Sequence, residues 1–123
     1  MKKIDEMNVN ELTACLCKIA EPAEKLFSDM AVLDALDKMK KAIPEQATAK
    51  LVFSLFMTIV YPHLMNEHNK ESTMKILAGL DGVTVEDIEN RNGVKNAGDM
   101  FNIFIMDRDV ESVFRPACEV RGE

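Results

Sequence analysis

The chain has 123 residues, of which 15 are basic and 21 are acidic, so its formal net charge is −6. A chain of this length is expected to form one domain, and it can bury enough surface to fold without disulfides. The excess of carboxylates argues against a nucleic-acid-binding protein, which needs positive patches to neutralise phosphates.

The cysteines, Cys15, Cys17 and Cys118, are odd in number. Residues two apart on a helix point to different faces, so Cys15 and Cys17 are poorly placed to form a disulfide or to share a metal ion. We therefore expect free thiols in a reducing cytosol. The N-terminal sequence MKKIDEMNVNE carries no apolar segment behind its lysines, so we expect no secretory signal and a cytoplasmic location.

The first helix is predicted over about residues 9–20. Asn8 and Glu11 have the spacing of a capping box, and apolar residues follow at helical intervals. Pro22 lacks the amide hydrogen that a continuing helix needs, so we expect a break or kink there and a second helix beyond it. Residues 31–42 form the next amphipathic pattern, with Leu33 and Leu36 facing inward.

The stretch from residue 46 to 66, QATAKLVFSLFMTIVYPHLMN, dominates the chain. One thin polar line runs along it, and apolar residues cover every other side. A helix of this kind is normally enclosed by other helices, so it should be either the central helix of the domain or the seam of an oligomer. We expect it to begin near Pro44, to kink at Pro62, and to place in the core Phe53, Phe56 and Ile59.

Polar and glycine residues mark the helix boundaries after this stretch. Asn69 is a good N-cap for a helix that ends at Gly82, and Thr84 can cap a short helix that ends at Gly93. The last helical pattern begins near Asp99. It reads MFNIFIMD, for which a β-strand is the main alternative because aromatic and β-branched residues favour strands.

Beyond this pattern, Asp109 could cap a short continuation of the helix, and the tail from about residue 117 is expected to fray. The sequence thus predicts an all-α, small single-domain bundle of roughly five to seven helices around a central apolar helix.

The sequence contains no constellation that indicates an enzyme. His63 and His68 are five residues apart, which is not the spacing of a zinc-protease motif, so we expect no metal and no cofactor. The glycine turn at residue 82 suggests a helix-turn-helix, but the second helix would present Glu86, Asp87 and Glu89 to the phosphates. The apolar core of residues 46–66 is also too short for a membrane span.

Two strongly apolar helices in one short chain have two interpretations. The simpler interpretation is that they are two halves of one core. The alternative is that a partner covers part of them, and the nine methionines add some weight to it because thioether side chains adapt to varied partners. On that interpretation, we expect the last helix to supply partner-binding residues, namely Met100, Phe101, Phe104, Met106 and Phe114.

Residues 16–93 resemble the small tail assembly chaperones of siphophages and prophages of Gram-positive bacteria. The resemblance lies in KIAEPAEKLFSD, in VLDALDKM, in the apolar helix ending YPHLMNEHNKE, and in TMKILAGLDGVTVEDIENRNG. It implies a non-enzymatic helical protein of the host bacterial cytoplasm that is absent from the mature virion. Its implied partners are the tape-measure protein, which it keeps soluble, and the tail-tube protein, which it helps to recruit.

Two further classes of function remain open on the sequence. One is a small helical adaptor or regulatory protein that binds a partner helix in the host cell. The other is a small enzyme, against which the lack of a catalytic constellation argues. A homo-oligomer is possible for both the chaperone and the adaptor, since the same apolar helices could pair with a second copy.

Overall fold

The computed structural model describes residues 4–107 and 110–114. Between Val9 and Phe101 the chain forms seven α-helices: α1 (Val9–Phe27), α2 (Met30–Ala42), α3 (Ala49–Leu55), α4 (Tyr61–Leu64), α5 (Lys70–Asp81), α6 (Val85–Asn90) and α7 (Gly93–Phe101). Two π-helical segments, Phe56–Val60 and Asn102–Asp107, directly follow α3 and α7, and residues 110–114 are helical again. No strand occurs in the described part of the chain, so the all-α prediction is confirmed, including for residues 101–106.

The centre of the domain is the contact between α1 and α5, which pack along each other more extensively than any other pair of helices. Ile19 and Leu26 of α1 and Ile76 and Leu77 of α5 are fully buried. The two helices approach closely because Gly79 has no side chain: a Cβ atom at this position would overlap Cγ2 of Ile19. Helix α2 packs mainly against the first π-helical segment.

The predicted capping residues start and stop several helices. Asn8 with Glu11 and Thr84 with Asp87 form capping boxes at the starts of α1 and α6. Gly82 ends α5 in the left-handed conformation with φ of 72°, where a residue with a Cβ atom would be strained. These boundaries agree with the sequence prediction.

The predicted break at Pro22 is wrong, because α1 continues through it to Phe27. Proline leaves only the carbonyl of Lys18 without its usual helical partner, and Lys18 is exposed, so water can bond this carbonyl. Residues on both sides of Pro22 are buried, among them Ile19 and Leu26, so packing maintains one continuous helix.

The stretch around α3 also differs from the prediction. Pro44 lies in a loop, and α3 begins only at Ala49, where the Thr48 hydroxyl accepts a hydrogen bond from the Leu51 amide. Pro62 does interrupt the α-helical hydrogen-bond pattern, and the interruption takes the form of a π-helical segment before the proline. The amide of Tyr61 donates to the carbonyl of Phe56, five residues back, which widens the turn just before the proline.

Asn69 is the N-cap residue of α5, as predicted, but its side chain makes no capping hydrogen bond. The side-chain nitrogen of Asn69 instead donates to Asp29 at 2.8 Å and to the His63 carbonyl at 2.9 Å. One further boundary prediction is wrong. Helix α7 begins at Gly93, about six residues before Asp99, because the Asn92 side chain accepts hydrogen bonds from the amides of Val94 and Lys95 and caps the helix. Asp109, Cys118 and the predicted frayed tail from residue 117 lie outside the described residues.

Arg91, at the end of α6, joins the C-terminal half to the centre of the fold. Its guanidinium donates to Asp81 at the end of α5, and also to Asn96 and Asp99 of α7 at 3.3 Å each. A planar group with several donors suits this arrangement of three acceptors. The ion pairs therefore hold α7, and with it Phe101, in a defined position relative to α5.

Candidate partner-binding surface

Helix α3 is not enclosed as a central helix would be. None of its residues is buried, although four of the seven are large and apolar. Leu51 is 41% exposed, and Val52, Phe53 and Leu55 are half-buried. Val52 and Leu55 pack against the hydrophobic core, whereas Leu51 lies on the outer side of the helix and remains uncovered. An apolar helix normally buries one face fully, so the incomplete burial of α3 is unusual. We call the area formed by Leu51, Val52, Phe53 and Leu55, together with the adjoining Phe101, the α3 surface.

Phe101 joins this helix to the C-terminal part of the domain. Its ring packs edge-on against Phe53, with centroids 5.3 Å apart, and against Phe56 at 5.6 Å. Phe56 also contacts Tyr61 at 6.4 Å. These edge-to-face contacts favour a fixed ring arrangement over a fluid one. The α3 surface is therefore supported from below by the buried Phe56 and is partly preformed.

Both π-helical segments adjoin this aromatic cluster. One begins at Phe56 and the other directly after Phe101. Such segments are uncommon, and they are found disproportionately at functional sites. Their position beside the least covered apolar helix supports a functional interpretation of the α3 surface.

The five predicted partner-binding residues differ in how far the structure buries them. Met100 and Phe104 are buried in the domain, so the prediction that they supply exposed surface is wrong. Phe104 packs against Phe27 of α1, with ring centroids 6.0 Å apart. Phe101 and Phe114 are half-buried, and Met106 is 66% exposed. Of the five, Phe101 belongs to the α3 surface, where its ring packs against Phe53.

The sequence prediction missed the rest of the surface, namely Leu51, Val52 and Leu55. The strongest apolar pattern was interpreted as a buried helix, and the partner-binding residues were predicted in the last helix. One signal could have found the site: none of the 21 acidic residues lies between Glu45 and Glu67. Such a segment is also expected of a buried helix, and Phe56, Val60 and Leu64 within it are indeed buried, so this signal alone does not distinguish a partner surface from the core.

No group of three or more His, Cys, Asp or Glu side chains in the described residues could hold a metal ion. A groove between α1 and the end of α5 contains Cys15, Lys18 and Asp81. Burial raises the pKa of the Cys15 thiol, which makes it a poor nucleophile at neutral pH. This groove therefore offers no activated group, and the α3 surface is the better candidate site.

Comparisons with protein-family models, with curated proteins and with solved structures return no match to this chain. Among the described residues, no helix combines the length and the apolar character needed to cross a bilayer.

Proposed function

We propose that this protein is a tail assembly chaperone of a phage or prophage, and that its α3 surface binds an apolar helical segment of the tape-measure protein. The observation that carries the proposal is that α3 is strongly apolar and yet has no buried residue. The choice of client comes from the resemblance of residues 16–93. The protein acts by binding, with no catalytic step.

The α3 surface has the chemistry that such a client needs. A long tape-measure helix exposes an apolar stripe until tube subunits surround it, and an uncovered stripe aggregates. Helix α3 offers an apolar surface of its own, flanked by the exposed Ser54 and Thr58 and by one charged residue, Lys50. Apolar side chains on one helix can pack against those of another in a helix-to-groove contact. A modest contact area suits a client that must later be released to the tail-tube protein.

Gene order gives the first test of this proposal. A chaperone of this kind is expected between a major tail-tube gene and a very long gene that encodes a helical tape-measure protein. An unrelated neighbourhood, with no tail genes, would instead favour a host adaptor that binds a different partner helix through the same surface.

Co-expression with the neighbouring tape-measure protein tests the binding itself. Leu51→Asp places a charge at an exposed position of the α3 surface, whereas Val94→Asp places the same charge at a 76% exposed position on α7. We expect the first variant to lose most of the soluble client and the second to keep it. Circular dichroism checks that both variants fold. Equal client solubility with the two folded variants would place the client elsewhere.

A further inference from the structure

The first turn of α3 differs from those of α1 and α6. Those two helices each place a carboxylate at the third helical position, Glu11 and Asp87, where it completes a capping box. Helix α3 has the same kind of N-cap, because the Thr48 hydroxyl accepts a hydrogen bond from the Leu51 amide. Its third position, however, is Leu51 itself, which is 41% exposed. A leucine side chain cannot complete the box, so Leu51 adds no capping hydrogen bond to the start of the helix.

Lys50, at the second position of α3, is also unfavourable for the helix. The free amide groups of a first turn carry partial positive charge, which favours carboxylates and disfavours cations. Helix α6 has Glu86 at the same position, whereas the first turn of α3 contains no acidic residue. Lys50 is exposed and forms no ion pair within the described part of the chain. Helix stability therefore explains neither Lys50 nor Leu51, and both side chains are accessible to a partner.

The segment around Lys50 is basic in an otherwise acidic chain. Residues 38–66 contain four lysines and one carboxylate, Glu45, so their formal charge is +3, whereas the whole chain carries −6. Lys38 and Lys41 are exposed near the end of α2, which the loop of residues 43–48 joins to α3. Because like charges repel, these lysines disfavour a second copy or a basic partner at the α3 surface and favour an acidic one.

We infer that the α3 surface recognises an amphipathic helix whose apolar stripe is flanked by carboxylates, and that Lys50 selects this helix. The inference rests on the proposed function, since it concerns the same surface. Leu51 contacts the stripe, and the neighbouring Lys50 pairs with a carboxylate at the edge of the stripe. The stem of a lysine can cover apolar area while its ammonium group meets the carboxylate. A helix flanked by lysines meets like charges instead and binds more weakly.

Nucleic acids and anionic membranes are also acidic, but they fit these observations less well. Both carry dense negative charge, which the many carboxylates of a chain with a net charge of −6 would repel. One unpaired lysine beside one exposed leucine matches a single carboxylate beside an apolar side chain, as on an amphipathic helix.

Three helical peptides with the same apolar stripe test this preference. Their flanking positions carry glutamate, glutamine or lysine, and fluorescence anisotropy with the purified full chain measures the Kd of each. We expect the glutamate-flanked peptide to bind about fivefold or more tightly than the lysine-flanked one, with a difference that shrinks as salt rises. The net charge of −6 predicts the opposite order, so this result would come from the local lysines. Anionic phosphatidylglycerol vesicles should not displace the peptide.

Lys50→Glu separates recognition from folding. It should remove or reverse the preference among the peptides. It should also leave the melting temperature unchanged or slightly higher, because a carboxylate suits the first turn of a helix. Lys25→Glu, at an exposed position of α1, makes the same change in net charge and should keep the wild-type preference. Leu51→Ser should weaken the binding of all three peptides alike, which shows that they bind at the α3 surface.

Several results would overturn the inference: equal binding of the three peptides, a preference for the lysine-flanked one, no binding of any, displacement by the vesicles, or a Lys50→Glu variant with the wild-type preference. Co-expression judges the chaperone function separately. Soluble tape-measure protein with wild type and its loss with Leu51→Asp would leave that function standing. A glutamate preference without an effect on the tape-measure protein would leave the inference standing for a different client helix.

Discussion

Phe53 and Phe56 lie three residues apart in the same apolar stretch, but they have different roles. Phe56 is fully buried, whereas Phe53 is half-buried and contributes to the α3 surface. Phe56→Ala should therefore lower the free energy of unfolding by about 3–5 kcal/mol. Phe53→Ala should cost about half as much or less, since part of its ring already contacts water. Urea denaturation of both variants measures the difference, and equal losses would show that Phe53 is also a core residue.

The same pair of rings shows the limit of the sequence prediction at the residue scale. Phe53, Phe56 and Ile59 were all expected in the core, but only Phe56 is buried, and Ile59 is half-buried. Hydrophobicity indicates that a residue will be removed from water. It does not indicate whether its own chain or a partner removes it.

Asp29 gives the domain a specific sensitivity to acid. The hydrogen bond from the Asn69 side chain, together with those from the amides of Ala31 and Val32, holds the pKa of this carboxyl below its usual value. A lowered pKa in the folded state means that the carboxylate stabilises the fold above the ordinary carboxyl pKa. This contribution is lost as the pH falls through the folded-state pKa.

Asp29→Asn isolates this effect. We expect the variant to be less stable than wild type at neutral pH, because the hydrogen bonds to a charged acceptor are lost. The difference should narrow as the pH falls into the acidic range, where wild type loses its own charge. Denaturation at neutral and at acidic pH measures the difference in unfolding free energy between wild type and the variant at each pH. A gap that stays constant with pH would show that the charge of Asp29 plays no part.

At the scale of elements, the α1–α5 contact depends on one helical glycine. Gly79→Ala adds a methyl group that overlaps Ile19, so it should destabilise the domain by about 1–3 kcal/mol although alanine favours helices. Gly98→Ala is the matched control, since Gly98 lies in α7 with open space at the Cβ position. It should stabilise the domain by about 0.5–1 kcal/mol. Thermal unfolding measures both changes, and two effects of the same sign would contradict the close packing of α1 on α5.

Helix caps were predictable from the sequence, but the effects of proline were not. The capping boxes at Asn8 and Thr84 involve only residues within one turn, so local sequence determines them. Pro22 and Pro62 have different outcomes: a continuous α1 in one case and a π-helical segment in the other. Each outcome depends on the packing partners of the helix, which lie far away in sequence.

The partner-binding residues of the last helix show the same limit. A helix that is apolar on nearly every side gives no periodicity from which to choose its buried face. A π-helical segment also shifts the register of the side chains that follow Phe101. Consequently Phe104 is buried in the structure while Met106 is exposed, although both belong to the same apolar pattern.

At the scale of the whole molecule, the distribution of charge and apolar area leads to one account. The α1–α5 pair forms the centre of the domain, and the chain carries a net charge of −6. The α3 surface is both free of carboxylates and incompletely covered. The central claim is that this surface is an interface, which a client covers.

Amide hydrogen exchange tests this claim most directly, because it reports protection helix by helix. In dilute free protein, we expect the amides of α3 to exchange much faster than those of α5. When tape-measure protein is added, new protection should appear first in Ala49–Leu55 and around Phe101. If α3 is already as protected as α5 in dilute protein, or if new protection appears only in other helices, the α3 surface is not the interface.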